Sequence, residues 1–330
     1  MFQKNLLKSL VATSCLVCAA AASAANSVID VMVVYTNGAA TAYNGDPTTR
    51  INQLFQTTNQ IYKDSSVNLE LRLVKTMKVD YTDENTAELA LNAITNGTGV
   101  FSGVAAAREQ AKADMVILYR PYKDAQGSCG LAWIGGQGTN GDFSGAGVKK
   151  YMYSHIAMNT CADYVTAHEL GHNMGLKHSR KQDGSGGTIP YALCYGVVGK
   201  FTTIMAYPTS FNVDYWTGTV YKFSDPTIRC KDLPCGVDRN DASNGSDAHY
   251  VVNITGPQIA NFYAGSTETK SSAASSTASS AAKSSSGSND LDEANAKLAA
   301  AKAAYDAAVA ALDQNKAAIE AKTKEEAAKK

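Results

Sequence analysis

The sequence predicts a domain of the α/β class, of the α+β kind, over residues 26–264: a twisted mixed five-stranded sheet with helices packed against it. Two observations predict it. Short apolar, β-branched runs alternate with stretches whose apolar residues recur at helical spacing. The last three short runs then follow one another closely and lead into a helix dense in histidine. The chain has 330 residues, enough for one good-sized domain or two small ones. Its formal net charge is +0, which gives no reason to expect a nucleic-acid partner.

Residues 28–35 (VIDVMVVY) are almost continuously apolar and read as a buried strand. Asp46-Pro47 opens a helix in which Ile51, Leu54, Phe55, Ile61 and Tyr62 share one face. Residues 67–74 (VNLELRLV) alternate, with Val67, Leu69, Leu71 and Leu73 on one side of a half-buried strand. Residues 84–112 hold alanine-rich helix interrupted near Asn96-Gly97. Residues 115–119 (MVILY), 129–134 (CGLAWI) and 151–157 (YMYSHIA) are three further strands, the last two separated by a glycine-rich loop. His155 on the last of them reads as a structural or surface histidine. Residues 257–264 (PQIANFYA) read as a closing helix with Pro257 in its first turn.

Three of the chain's five histidines fall within residues 168–178, as His168, His172 and His178 in the pattern H-E-x-x-H-x-x-G-x-x-H. Residues four apart stand one above the other on a helix, so His168 and His172 aim two imidazoles at one point. Gly175 suits the left-handed conformation that ends a helix and would bring His178 round as a third ligand. Three histidines with one open position make the catalytic arrangement of Zn²⁺. Glu169 sits beside the metal rather than on it, as a general base for water requires. Met205, 27 positions after His178 in the stretch TIMAYP, is expected in a tight turn beneath the imidazoles, fixing them without bonding the metal. Tyr207 follows two residues later and is a candidate to ligate the resting metal or to donate to a developing oxyanion.

Five cysteines lie beyond residue 25. Cys230 and Cys235 enclose a tight turn and are one expected pair; Cys129 and Cys161 are a second, bracing the cleft. Cys194 is left over as a buried small hydrophobe. Residues 179–200 are glycine-rich and read as a solvated connection. Residues 238–247 (DRNDASNGSD) are rich in oxygen ligands, and either a polar surface loop or a Ca²⁺ site would use them.

The ends differ from this domain. Residues 1–25 have a positive start (Lys4, Lys8), an apolar run too short for a stable membrane span, and Ala22-Ser23-Ala24 as a small-residue cleavage site. They read as a signal peptide for a secreted, extracellular product, with the periplasm as the alternative. Residues 265–288 are a Ser/Ala-rich flexible linker. Residues 289–330 form an Ala-rich charged helix in which Leu291, Leu298, Tyr305, Leu312 and Ile319 recur every seven residues. Self-association as a weak coiled coil, binding to an envelope partner, and a solvated helix all stand as readings of it.

The histidine stretch with Met205 resembles the metzincin clan of zinc metalloendopeptidases. Residues 26–264 further resemble its reprolysin-like bacterial members, above all the peptidyl-Asp metalloendopeptidase family. The segments that carry this finer likeness are VIDVMVVYTNGAA, CGLAWIGG, TAHELGHNMGLKH, FTTIMAYP, FSDPTIRCKDLPCGV and QIANFYA. The resemblance implies a zincin-like fold with a smaller C-terminal part after His178, and hydrolysis of internal peptide bonds of polypeptide substrates. It implies that Gly130, Leu131, Ala132 and Trp133 lie on a cleft-edge strand that pairs with extended substrate. Cleavage on the amino side of Asp would follow from the closest family, with a basic residue near the pocket to read the carboxylate. Many relatives carry a pro-segment with a zinc-blocking cysteine, whereas here the first strand follows residues 1–25 almost at once. Two rival readings remain: a non-catalytic envelope or adhesion protein working through its helical tail, and a zinc amidase acting on cell-wall peptide.

Overall fold

A computed structural model describes residues 26–263. The expected signal peptide, linker and C-terminal helix lie outside the described residues. In chain order the main elements are β1 (Ser27–Thr36), α1 (Asn37–Ala42), α2 (Thr48–Asp64), β2 (Leu69–Val79), α3 (Ala87–Asn96), α4 (Val104–Ala111), β3 (Met115–Arg120), β4 (Gly130–Ala132), α5 (Ala146–Lys150), β5 (Tyr153–Ala157), α6 (Val165–Asn173), the single turn α7 (Arg180–Asp183) and α8 (Ala248–Ile259). The five strands form one sheet in the order β2-β1-β3-β5-β4. Four strands run parallel, and β4 lies antiparallel to β5 at the edge. The mixed five-stranded sheet expected from the sequence is therefore present.

Both faces of the sheet are covered, which is why β1 and β3 read as nearly continuous apolar runs. Ile29, Val31 and Val33 of β1 join Ile117 and Tyr119 of β3 in the core under α2, α6 and α8. Met32 and Val34 point the other way, onto α3 and α4 with Val116 and Leu118. Burial of each such side chain contributes about 1.5–3 kcal/mol. The predicted face of α2 is buried throughout, and Asp46 Oδ1 accepts from the Thr48 backbone N–H at the start of that helix. In β2 the alternation breaks where the pairing slips between Val31 and Met32. Leu69 and Leu71 are buried but Leu73 only partly, and beyond the slip Val74 and Met77 pack on the opposite core. Gly97, at φ +65°, separates α3 from the turn that leads to α4.

Several expectations are corrected. Strand β4 is three residues long, so Trp133 falls just beyond it. Strand β2 continues to Val79. The helices α1 and α5 have no counterpart among the predicted elements. The closing helix starts at Ala248, with Asp247 as N-cap accepting from the Tyr250 N–H, and Pro257 lies inside it rather than in its first turn. It runs back to the sheet, where Gly256 meets Leu69 of β2. Residues 179–200 are not a simple connection: Lys177–Ser179 pairs with Leu193–Cys194, and Gly196–Val197 pairs with Phe201–Thr203. Among the described residues no helix is long and apolar enough to cross a membrane.

Both expected disulfides are present, Cys129–Cys161 and Cys230–Cys235, and Cys194 is free and buried. The first closes the longer loop, with a separation of 32 residues. On chain-entropy grounds that restricts the unfolded state by about 3–4 kcal/mol, against about 2 kcal/mol for the short bridge. The first also ties the entry of β4 to the segment that leads into α6.

Candidate active site

Helix α6 carries His168, Glu169 and His172, all buried, on the side facing the edge of the sheet. Its C-terminus explains how His178 joins them. Gly175 has φ +94°; its N–H donates to His172 O, and the Leu176 N–H reaches back to Gly171 O. This paired closure reverses the chain around a left-handed residue. A Cβ at Gly175 would also meet Thr188 Cγ2 at 2.6 Å, so glycine is required twice over. The three imidazoles then converge, with centroid separations of 4.9, 5.4 and 4.8 Å.

Each imidazole is oriented by a different acceptor. His168 Nδ1 donates to Ile204 O at 2.8 Å, and His172 Nδ1 to Leu176 O at 2.9 Å. A carbonyl only accepts, so the proton sits on Nδ1 and the Nε2 lone pair is free. His178 Nδ1 lies 3.0 Å from Asp183 Oδ2, which also accepts the His178 backbone N–H at 2.8 Å. His178 Nε2 is buried without a hydrogen-bond partner. Burial pushes the pKa of all three down, that of His172 to about 4, with mutual repulsion adding to the shift in His168 and His172. Neutral imidazoles with free Nε2 atoms, pointing at one place, are the donor set Zn²⁺ takes. A buried orphan nitrogen has no other stabilising partner there.

Glu169 is 4% exposed, and its Oε2 has no partner. Burial alone pushes its carboxyl well above the ordinary range; a dication beside it acts in the opposite direction. Gly130 of β4 faces it. A Cβ there would come within 2.6 Å of Glu169 Cγ and 2.7 Å of Cδ, and nearer still to Oε1. The edge strand and the Glu169 side chain are therefore in van der Waals contact only because residue 130 has no side chain. The end of β4 is fastened to α6 as well: the Gly135 N–H donates to His172 O, and Asn173 Nδ2 donates to Trp133 O and Tyr153 O. With its carbonyl taken by Asn173 and its indole donating to Thr95, Trp133 is a strut of the domain.

Met205 is fully buried, and its Sδ lies 2.7 Å from where a Cβ on Gly171 would stand. It packs on the turn of α6 between His168 and His172, as expected. The residue before it supplies the acceptor for His168. Tyr207 is 47% exposed, its ring centroid 4.3 Å from that of His178. Burial and the Glu169 carboxyl push its phenol up to about 12, so it stays protonated. Its backbone N–H donates to Gln182 Oε1. His168, Glu169 and Tyr207 line a cleft of about 310 Å³ together with Gly127–Gly130, Ala206, Pro208, Thr209, Tyr164 and Tyr215. Among the residues lining the cleft there is no Lys or Arg, so the basic reader expected for an Asp side chain is not in its wall.

Three positioning residues escaped sequence reasoning: Asp183, Gln182 and Asn173. All act through contacts that no local pattern encodes, although an acid five residues after the third histidine was a usable hint. His155 is structural rather than a surface residue: fully buried, it accepts from the Arg120 guanidinium at 2.8 Å. In the oxygen-rich segment 238–247, read as either a polar surface loop or a Ca²⁺ site, Asp238 and Asp241 accept from backbone N–H groups of their own turns.

A buried helix that carries two imidazoles one turn apart beside a buried carboxylate, under an edge strand, is the arrangement that zincin-type metallohydrolases use. Comparison with known proteins makes this specific. A profile of Metallo-peptidase family M12 matches residues 25–217, and the chain belongs to that family. A peptidyl-Asp metalloendopeptidase of Pseudomonas aeruginosa is 34% identical over 279 residues, covering 79% of this chain and 44% of that protein. Proteins of the same name from Stenotrophomonas maltophilia and Xanthomonas campestris are 29% and 28% identical, covering 71% and 74% of this chain and 53% and 54% of theirs. The chain thus spans about half the length of these relatives. Among solved structures, a chain in a chaperone–substrate complex superposes with a TM-score of 0.54 at 20% identity, over 72% of this chain and 35% of that one. That likeness is one of fold.

Proposed function

We propose that this chain is a secreted zinc metalloendopeptidase that hydrolyses internal peptide bonds of polypeptides. The observation that carries the proposal is the buried, unpartnered Glu169 carboxylate beside three converging Nε2 atoms. His168, His172 and His178 would hold the ion, with Met205 supporting them from below. Zinc held there would supply an acidified water and a Lewis acid for the carbonyl oxygen. The chain's own groups do the rest. Strand β4, at the edge of the sheet, offers backbone N–H and C=O groups to an extended peptide through Gly130, Leu131 and Ala132. That pairing lays the scissile carbonyl over Glu169. Glu169 takes a proton from the attacking water and passes it to the leaving nitrogen. Tyr207, protonated and beside His178, donates to the oxygen on which negative charge develops.

Preference for bonds on the amino side of Asp is supported by the names of the peptidyl-Asp relatives. With no cation in the cleft wall, an Asp side chain would be met by phenol hydroxyls and backbone N–H groups. Export is supported by residues 1–25 and by the two disulfides. The test is Glu169→Gln, which preserves the shape of the site. It should bind zinc as the wild type does and lose about 10²–10⁴ in kcat on casein. Digestion at the wild-type rate would overturn the assignment. Mapping cleavage sites on a peptide library then reads the Asp preference.

A further inference from the structure

A second group of metal-binding side chains lies outside the cleft, where the segment holding Phe223 and Ser224 meets the start of α8. It consists of Asp225, Asp247 and His249, with one ligand atom from each lying within 4.8 Å of the others. Both carboxylates are buried, Asp225 at 0% and Asp247 at 1% exposure. Asp225 Oδ1 accepts from the Thr227 N–H and hydroxyl, but its Oδ2 is buried and accepts no hydrogen bond. That oxygen is aimed at His249 Nδ1, 3.7 Å away. Asp247 Oδ1 stands 3.4 Å from the same nitrogen.

At 3.4 Å the Asp247 contact is a long hydrogen bond, well beyond the roughly 2.7–2.9 Å of a charge-assisted one, and at 3.7 Å the Asp225 contact is outside hydrogen-bond reach. Ligands about 2.0–2.2 Å from a four-coordinate zinc stand roughly 3.2–3.6 Å from one another, so the first separation fits an edge of that polyhedron and the second exceeds it by about 0.1 Å. We propose that Asp225 Oδ2, Asp247 Oδ1 and His249 Nδ1 form a second, structural divalent-cation site of the zinc class. Imidazole in the set selects zinc and its neighbours in the transition series over calcium, which takes oxygen ligands. Asp247 alone of the oxygen-rich loop takes part.

Neighbouring groups fix the ligands. The Ala248 N–H donates to Ser224 Oγ, and the His249 N–H to Ser224 O, so the Asp225 segment and the helix start are locked together. Arg239 pairs with Asp247 Oδ2, and Asp247 Oδ1 also caps the Tyr250 N–H. Both are positive influences that lower affinity for a cation without occupying the Asp225 oxygen. His249 is partly exposed, at 21% for the side chain, and leaves room for water as the remaining ligand. Such an ion would clamp the closing helix to the chain beyond the methionine turn. The competing occupant is a proton on His249 Nδ1.

The experiment is metal counting on the full chain, stripped with chelator, reloaded with Zn²⁺ alone, desalted, and weighed by native mass spectrometry. Two ions per chain are expected in the wild type, and one in Asp225→Asn and in His249→Gln. The wild-type count decides even where a variant fails to fold. One ion in the wild type, kept by His249→Gln and lost by His172→Ala, overturns the second site and leaves the active-site reading standing. Two ions kept by both Asp225→Asn and His249→Gln also overturn it. One ion kept by His172→Ala and lost by His249→Gln supports this site and sinks the other, so the two readings fail separately.

Discussion

Replacing Gly130 by alanine tests the contact between the edge strand and the base. The added Cβ would lie 2.6 Å from Glu169 Cγ and 2.7 Å from Cδ, where carbon–carbon contacts normally settle at about 3.5–4.0 Å. Something must move by about 1 Å. Gly130 is held by antiparallel pairing with Ile156 and by the disulfide at Cys129. Glu169 Oε2 has no hydrogen bond to hold it, so the carboxylate is what gives way. A misplacement of about 1 Å at a reacting group costs on the order of 10²-fold, or about 2.7 kcal/mol of barrier. Gly130→Ala should therefore lose about 100-fold in kcat/KM on a fluorogenic peptide. Its zinc stoichiometry and the near-ultraviolet signature of its fold should be unchanged, since the three imidazoles take their hydrogen bonds elsewhere. Activity within twofold of wild type would refute the argument, because it would mean that the carboxylate can work from a position this geometry forbids. Loss of zinc together with activity would refute it differently, by showing that β4 supports the metal ligands.

Two other outcomes follow from the same geometry. Tyr207→Phe removes one donor to a developing charge, a bond of about 1.5–3 kcal/mol, so kcat should fall roughly 10–100-fold with KM little changed; an unaltered kcat would reduce Tyr207 to a side chain that packs on His178. Burial, with repulsion from Arg120 second, holds His155 well below 6.5 in the folded protein, so below that pH the unfolded chain binds the extra proton and stability falls with falling pH by up to about 1.4 kcal/mol per unit. Urea unfolding from pH 7 to 5 should show a shallower decline in His155→Gln than in wild type, and equal slopes would rule the histidine out as the source.

The parts of the fold legible in the sequence were those whose burial follows a local period. Strands β1 and β3 are covered on both faces, so Val31–Val34 and Met115–Leu118 are apolar without a break, and α2 shows one face. Helix α5 was not legible because none of its residues is buried, and the strand pairs after residue 178 were not because strands of two or three residues are too short to show a period. Their residues are ordered by partners far along the chain, as where Lys177–Ser179 finds Leu193–Cys194. Pro257 misled for a related reason. Proline is common in a first turn, but the true start is set by Asp247, whose carboxylate is also engaged with Arg239 and faces His249. A cap shared with a tertiary cluster does not look like a cap in sequence.

The site divides along the same line. His168, Glu169, His172, Gly175 and His178 were legible because one helix and one left-handed turn bring them together over eleven residues. What makes them a site rather than a cluster comes in two of three cases from outside that stretch. Ile204 takes the Nδ1 proton of His168, Leu176 that of His172, and Asp183 holds His178. Each acceptor belongs to a different stretch of chain, and one stretch is the methionine turn. The turn therefore has two separate tasks: Met205 fills the space under Gly171, and the carbonyl of Ile204 sets a tautomer. Substituting the Met205 side chain can disturb only the first, because the second is carried by backbone. Replacements of similar volume at Met205 should then leave the His168 tautomer and its free Nε2 in place, whereas shortening the turn by one residue removes the acceptor and with it the orientation of the first ligand.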